Sequence, residues 1–173
     1  MAGTTVAYEM MPERARQDPT MSEWLRSKPP LDAGPRVVDE SLFRFLVELE
    51  VQKAQRLRYC VSLVCLAIEV ARGETREPSL PSLAGIVTRY LRSTDVVAPW
   101  APASLALLLV DAETTHLPSI LRRLTASLQT TAWSAGGSSY PKTATRANDM
   151  LRQAVDSMVR AKNEGGNRLY VES

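Results

Sequence analysis

The chain has 173 residues, enough for one domain of ordinary size with a short tail, and its 45% hydrophobic content is that of a protein with a real core. Lys and Arg number 21 against 19 Asp and Glu, a formal charge of +2, which excludes the broad positive field of a protein that grips nucleic acid mainly through phosphates. The opening MAGTTVAYEMMPERARQ has no basic flank followed by an apolar core, and the longest uncharged stretch, Val96 to Val110, is broken by Pro99 and Pro102. Neither a secretion signal nor a bilayer span is expected, and the chain reads as cytoplasmic with no membrane partner.

Residues 1–36 carry Pro12, Pro19, Pro29, Pro30 and Pro35 and no sustained apolar period, so they read as a flexible tail ahead of a domain over 37–173. Within the tail, Met21 to Ser27 form at most a short helical piece with Trp24 and Leu25 as an apolar spot. From Asp39, a candidate N-cap, Leu42, Phe45, Leu46 and Leu49 recur at i, i+3, i+4 and i+7, which predicts a helix to about Arg56 with those four on its buried face. Tyr59 to Val70 is a continuous apolar run fit for the central strand of a sheet, and it holds Cys60 and Cys65, which form neither a metal pair nor a disulfide framework. A reducing compartment suits them.

After the loop ARGETREPSLP, Leu83, Ile86, Val87, Tyr90 and Leu91 mark a second helix ending near Arg92. Strands at Asp95 to Trp100 and Leu105 to Val110 flank Ala101 to Ser104, a spacing that suits a hairpin. Thr114 is read as the cap of a third helix that tolerates Pro118 in its first turn and buries Leu117, Ile120, Leu121, Leu124 and Leu128. A strand at Thr131 to Ser138 follows, then a helix from Ala144 to Asn163 burying Ala147, Met150, Leu151, Ala154 and Met158. Gly165 and Gly166 end that helix before a last strand at Arg168 to Val171. The predicted fold is α+β: a ferredoxin-like βαββαβ core with helices on one face of a mostly antiparallel sheet, plus an N-terminal helix and a C-terminal helix–strand unit.

Several segments, in order, resemble the GGDEF domain of diguanylate cyclases in degenerate form. DESLFRFLVELEVQKAQR is similar to the family's first helix, and LAIE stands where an apolar run ends in Asp-Ile-Asp. LRSTDVVAPW resembles Leu-Arg-x-x-Asp-x-x-Ala-Arg-Tyr, and APASL occupies the signature itself. SAGGSSYP and AVDSMVRAKNEGGNRLYV resemble the family's Ser-x-Gly-x-Ala-x-x-Pro region and its C-terminal segment.

That resemblance carries expectations about chemistry. Joining two GTP molecules into cyclic di-GMP needs divalent cations on the triphosphates, and hard cations need carboxylate oxygens. At the two positions where the family places them stand Ala67 and Ser104, and the signature glycines are Ala101 and Pro102. The guanine-reading region is shortened, and the Phe-Lys, Asn-Asp and Gly-His elements are not found in EVARGETREPS. Lys162 keeps the position of a phosphate-contacting lysine, whereas Gly166 replaces its assisting arginine; Glu69 alone would hold a cation only loosely. The expectation is a non-catalytic protein without a bound cofactor.

Arg92 and Asp95 preserve the Arg-x-x-Asp of the family's inhibitory site, and counting without a gap adds Arg123, with Arg122 beside it. A guanidinium fork can pair with guanine O6 and N7 or with phosphate, while a carboxylate can accept from guanine N1–H and N2–H₂. Against this stands a plain structural role: Arg92 favours a helix C-terminus and Asp95 caps or pairs locally. His116, the only histidine, has no companions for a zinc site or a catalytic triad, and AGGSS lacks the setting of a phosphate loop. Trp100, Trp133 and Tyr140 read as packing residues.

Two functions follow from the resemblance. One is a cyclic di-GMP receptor through Arg92, Asp95 and Arg123, passing occupancy to a protein partner; it requires the Arg92–Asp95 pair to be free of each other and of the backbone. The other is a scaffold or dimerisation module, a homodimer among its forms, contacting through the tail or the altered catalytic face. A third and weaker one is an enzyme using Glu69 and Lys162 on another nucleotide.

Overall fold

A computed structural model describes residues 36–69, 80–100, 104–126 and 132–172. Its elements in chain order are β1 (Arg36–Val37), α1 (Glu40–Leu57), β2 (Val61–Glu69), α2 (Leu80–Thr88), β3 (Val96–Trp100), β4 (Ser104–Val110), α3 (Leu117–Ala126), β5 (Ala132–Tyr140), α4 (Ala147–Asn163) and β6 (Arg168–Val171). The strands form one sheet in the order β1-β3-β4-β2-β5-β6. Both edge pairings, β1 with β3 and β5 with β6, are parallel, and the three inner pairings are antiparallel. The inner four strands with α2 and α3 are the expected βαββαβ unit. The tail, with Trp24 and Leu25, lies outside the described residues, and the boundary drawn at residue 36 meets β1, whose Arg36 pairs with Val96.

β2 sits inside the sheet because its run from Val61 to Ile68 is buried on both faces, which only a strand covered twice can sustain. Its side chains alternate between two cores. Leu63, Cys65 and Ala67 join α1 and α4 on one face, and Val64, Leu66 and Ile68 join α2 and α3 on the other. The helices thus cover both faces, the two flanking units filling the side opposite the ferredoxin-like pair. Gly136 in β5 permits the close approach of α4: a Cβ there would fall 2.1 Å from the Ala154 carbonyl oxygen and 2.2 Å from the Met158 nitrogen.

The structure corrects the orientation of α1. Asp39 is its N-cap, accepting from Leu42 N–H at 2.9 Å, but the buried face is Phe43, Val47, Val51 and Ala54. Leu42, Phe45 and Leu49, expected inside, lie outside, and only Leu46 is half-buried. Phe43 decides the rotation by packing edge-on against Trp100 of β3, ring centres 6.1 Å apart, while the Arg44 guanidinium lies over that ring at 4.5 Å.

Other elements shift less. α2 ends at Thr88, and three tighter turns bonded from Arg89, Tyr90 and Leu91 back to Ile86, Val87 and Thr88 carry the chain on. A 3₁₀ turn at Thr114–His116 precedes α3, capped by Glu113 instead of Thr114. Leu117, Leu121 and Leu124 are buried, and Leu128 lies outside the described residues. Cys65 is buried, but Cys60 precedes β2 and is only half-buried. Trp100, Trp133 and Tyr140 are half-buried against the two cores.

Candidate functional site

The turns after α2, the end of β4 and the outer side of α3 enclose a cleft of about 200 Å³. Tyr90, Arg92, His116, Ile120 and Arg123 are among its lining residues, and Asp95 lies at its floor. Arg122 is exposed on α3 and is not part of the lining. The spacing of Arg92 and Arg123 therefore converges on one cleft although 31 positions separate them (123 minus 92).

Asp95 does not present its carboxylate to that cleft. It is 4% exposed; Oδ2 accepts from Arg92 N–H at 2.8 Å and Oδ1 from Val110 N–H at 3.3 Å. Its own N–H donates to the Arg92 carbonyl at 3.0 Å, closing the turn. Burial raises its carboxyl above the ordinary carboxylate range, opposed by those two backbone donors and by the Arg92 guanidinium. The carboxylate locks the α2–β3 turn to the end of β4. Of the two roles the sequence offered for Asp95, ligand contact and local cap, these bonds are those of the cap.

The guanidinium groups are placed differently. Arg92 and Arg123 are exposed, and neither makes an ion pair or side-chain hydrogen bond to a described residue. His116, for which the sequence offered no companions, is exposed at the same cleft, its Nδ1 accepting from Glu113 N–H at 3.3 Å. That contact assigns the ring proton of the neutral form to Nε2. Tyr90 and His116 were missed in the sequence because their place depends on α3 folding back over β4, which no local spacing encodes.

The opposite end of the sheet holds the positions where the resemblance calls for cation ligands. Ala67 of β2 is the register partner of both Ser104 in β4 and Ser134 in β5. The Ser104 hydroxyl donates to the Trp100 carbonyl at 2.9 Å, and the buried Ser134 hydroxyl has no partner among the described residues. Among the described residues no three His, Cys, Asp or Glu side chains group as a metal site. Gly166 adopts φ +71°, where an added Cβ would sit 3.3 Å from the Trp133 carbonyl and 3.4 Å from the Ser134 hydroxyl, so this turn favours glycine twice over. Lys162 is exposed on the last turn of α4. Ala101, Pro102 and the EVARGETREPS loop beyond Glu69 lie outside the described residues, as does the side chain of Glu69.

No helix among the described residues is long and apolar enough to cross a membrane. No family model and no curated protein matches the sequence. Solved structures do. The GGDEF domain of YfiN (TpbB) from Pseudomonas aeruginosa superposes with a TM-score of 0.71 at 19% identity, covering 84% of this chain and 94% of that one. The coiled coil and GGDEF domain of DgcB from Caulobacter crescentus, in complex with c-di-GMP, gives 0.68 at 14% identity over 87% and 90% of the two chains. Diguanylate cyclase SiaD from Pseudomonas aeruginosa, in complex with its activator SiaC, gives 0.67 at 16% identity over 84% and 61%. The strand order, the helices on both faces and these likenesses agree that this chain has the fold of a GGDEF domain.

Proposed function

We propose that this chain is a non-catalytic GGDEF-type signalling module that acts through what it binds. The observation that carries the reading is the facing of Ala67 and Ser104 across the β2–β4 ladder. A methyl and a serine hydroxyl already donated to the backbone cannot replace the paired carboxylates that hold divalent cations on triphosphates. Incubation of the full chain with GTP and Mg²⁺ or Mn²⁺ tests it. No cyclic di-GMP should form, and product in proportion to protein refutes the reading.

A second reading concerns the ligand. Asp95, held by the backbone, does not meet the condition set for an Arg92–Asp95 receptor site, so what supports cyclic di-GMP as a bound signal is a reduced site: Arg92 and Arg123, without an ion pair among the described residues, line one cleft and can take phosphate or the O6/N7 edge of guanine. The cleft is below the roughly 300–1,000 Å³ of ordinary ligand sites, so it takes one base or phosphate edge and leaves the rest of the dinucleotide on the surface. With Asp95 engaged by the backbone, no carboxylate reads guanine N1–H, and discrimination between guanine and adenine rests on the arginines alone. Calorimetry with cyclic di-GMP separates the two modes: heat lost in both Arg92→Ala and Arg123→Ala supports receipt of the nucleotide. Flat traces at high ligand leave protein contact as the mode of action, as the complex of SiaD with its activator illustrates for a similar fold.

A further inference from the structure

The arginine cleft is rich in donors and short of carboxylates. The guanidinium groups of Arg92 and Arg123 are exposed there and lack an ion pair among the described residues. His116 adds a third donor: its Nδ1 accepts from the N–H of Glu113, a residue outside the lining, so the neutral ring keeps its proton on Nε2, the nitrogen left for a ligand.

The carboxylates nearby are engaged elsewhere. Asp95, at the floor, accepts from the backbone of Arg92 and Val110. Asp111 Oδ1 lies 3.9 Å from Cys60 Sγ, and Asp111 and Glu113 together raise the pKa of that thiol. Neither Cys60 nor Glu113 lines the cleft.

A group seated among such residues is chosen for its acceptors. A phosphate presents oxygens alone and meets both guanidinium forks and an imidazole N–H at once. Guanine presents O6 and N7 but also N1–H and N2–H₂, and adenine presents N6–H₂; inside the cleft these donors would give up water without gaining a carboxylate. A space of about 200 Å³ suits the smaller group. Tyr90, 39% exposed, adds a phenol ring to the lining, and stacking on such a ring does not separate one base from another.

We propose that the cleft is a phosphate seat: Arg92, Arg123 and the Nε2–H of His116 hold a phosphodiester group of a cyclic dinucleotide, whose base stays outside against Tyr90, so the site does not tell guanine from adenine. This rests on the nucleotide reading given above and narrows it from phosphate or guanine edge to phosphate alone. His116 becomes a ligand contact that the spacing of Arg92 and Asp95 does not include.

Calorimetry on the full chain with cyclic di-GMP, cyclic di-AMP and inorganic pyrophosphate is the test. The two dinucleotides should bind within about threefold of each other, since stacking is tolerant of the base, and pyrophosphate should compete with both. Arg92→Ala and Arg123→Ala should each remove the heat of all three ligands. His116→Asn, whose Oδ1 can still accept from Glu113 N–H, should weaken all three roughly fivefold, the worth of one hydrogen bond, with an unchanged melting temperature. Tyr90→Ala should weaken the dinucleotides and spare pyrophosphate, and Asp111→Asn should weaken nothing. Cyclic di-GMP held about tenfold or more tightly than cyclic di-AMP, or lost in Asp111→Asn, means that the guanine edge is read; that overturns the proposal and leaves the nucleotide reading standing. Pyrophosphate bound through both arginines with neither dinucleotide taken up overturns the nucleotide reading and supports the seat. No heat from any of the three overturns both.

Discussion

Truncating Asp95 separates a structural lock from a ligand contact. In Asp95→Ala two backbone donors, Arg92 N–H and Val110 N–H, lose the acceptor they share. Hydrogen bonds to a charged group contribute about 1.5–3 kcal/mol each, and release of the buried carboxylate from its own desolvation offsets part of that sum, leaving a loss of about 2–4 kcal/mol. For a domain of this size that is a fall in melting temperature of roughly 4–16 °C. Arg92→Ala removes an exposed side chain with no bonded partner among the described residues and should stay within about 0.5 kcal/mol of the parent. Urea denaturation of the full chain with both variants, read by linear extrapolation, measures the contrast. An Asp95→Ala protein as stable as the parent, or an Arg92→Ala protein as damaged as Asp95→Ala, refutes the assignment of Asp95 to the turn.

The same carboxylate predicts a pH dependence. Its folded pKa is raised above the unfolded value of about 3.9, so the native state holds the proton more tightly and ionisation costs stability. That cost is fully felt above the folded pKa and disappears as pH falls to the unfolded one; the parent should therefore gain on Asp95→Asn between neutral pH and about pH 4, measured as the difference between their urea midpoints. A gap moving the other way would reverse the sign of the shift. Gly136→Ala should cost at least the ~1–3 kcal/mol of ordinary overpacking because the added methyl meets α4 backbone, whereas Gly85→Ala, with no described atom within 4 Å of its Cβ, should stabilise α2 by up to ~1 kcal/mol; thermal melts of the pair decide. Burial pushes the Cys65 thiol up to about 12 and, with Asp111 and Glu113, raises Cys60 too. At neutral pH a thiol reagent should label Cys60 slowly and Cys65 only after denaturation, a result read by mass spectrometry.

What was legible in the sequence followed from one-dimensional pattern. β2 declared itself because the eight residues Val61–Ile68, without a surface face, require cover on both sides, and the order of elements around it then left one compact topology. The face of α1 was not legible, because Leu42, Phe45, Leu46 and Leu49 and Phe43, Val47, Val51 and Ala54 are both helical stripes. Only the sheet chooses between them, and it takes the stripe whose Phe43 meets Trp100 and whose Ala54 allows close approach. For Asp95 the spacing from Arg92 left two roles open, ligand contact and local cap, and did not show the bond to Val110, a donor 15 residues away across the β3–β4 hairpin. His116 was discounted as a lone histidine, yet Glu113 holds it at the cleft through a turn that no ligand spacing foreshadows.

The two candidate sites share one strand. Ser104 begins β4 opposite Ala67, and Val110 ends it opposite Val61, where its N–H meets Asp95. Seven extended residues put about 20 Å between these ends, and all but the last are buried between β2 and β3. What stands at the Ser104 end therefore places no demand on the cleft, whose geometry is set by the Arg92–Asp95 turn and by α3. Substitutions at the two ends are far enough apart to add without coupling. A protein with no carboxylates at Ala67 and Ser104 can thus keep an arginine-lined cleft intact, and binding at that cleft can be measured separately from the test for turnover at the other end.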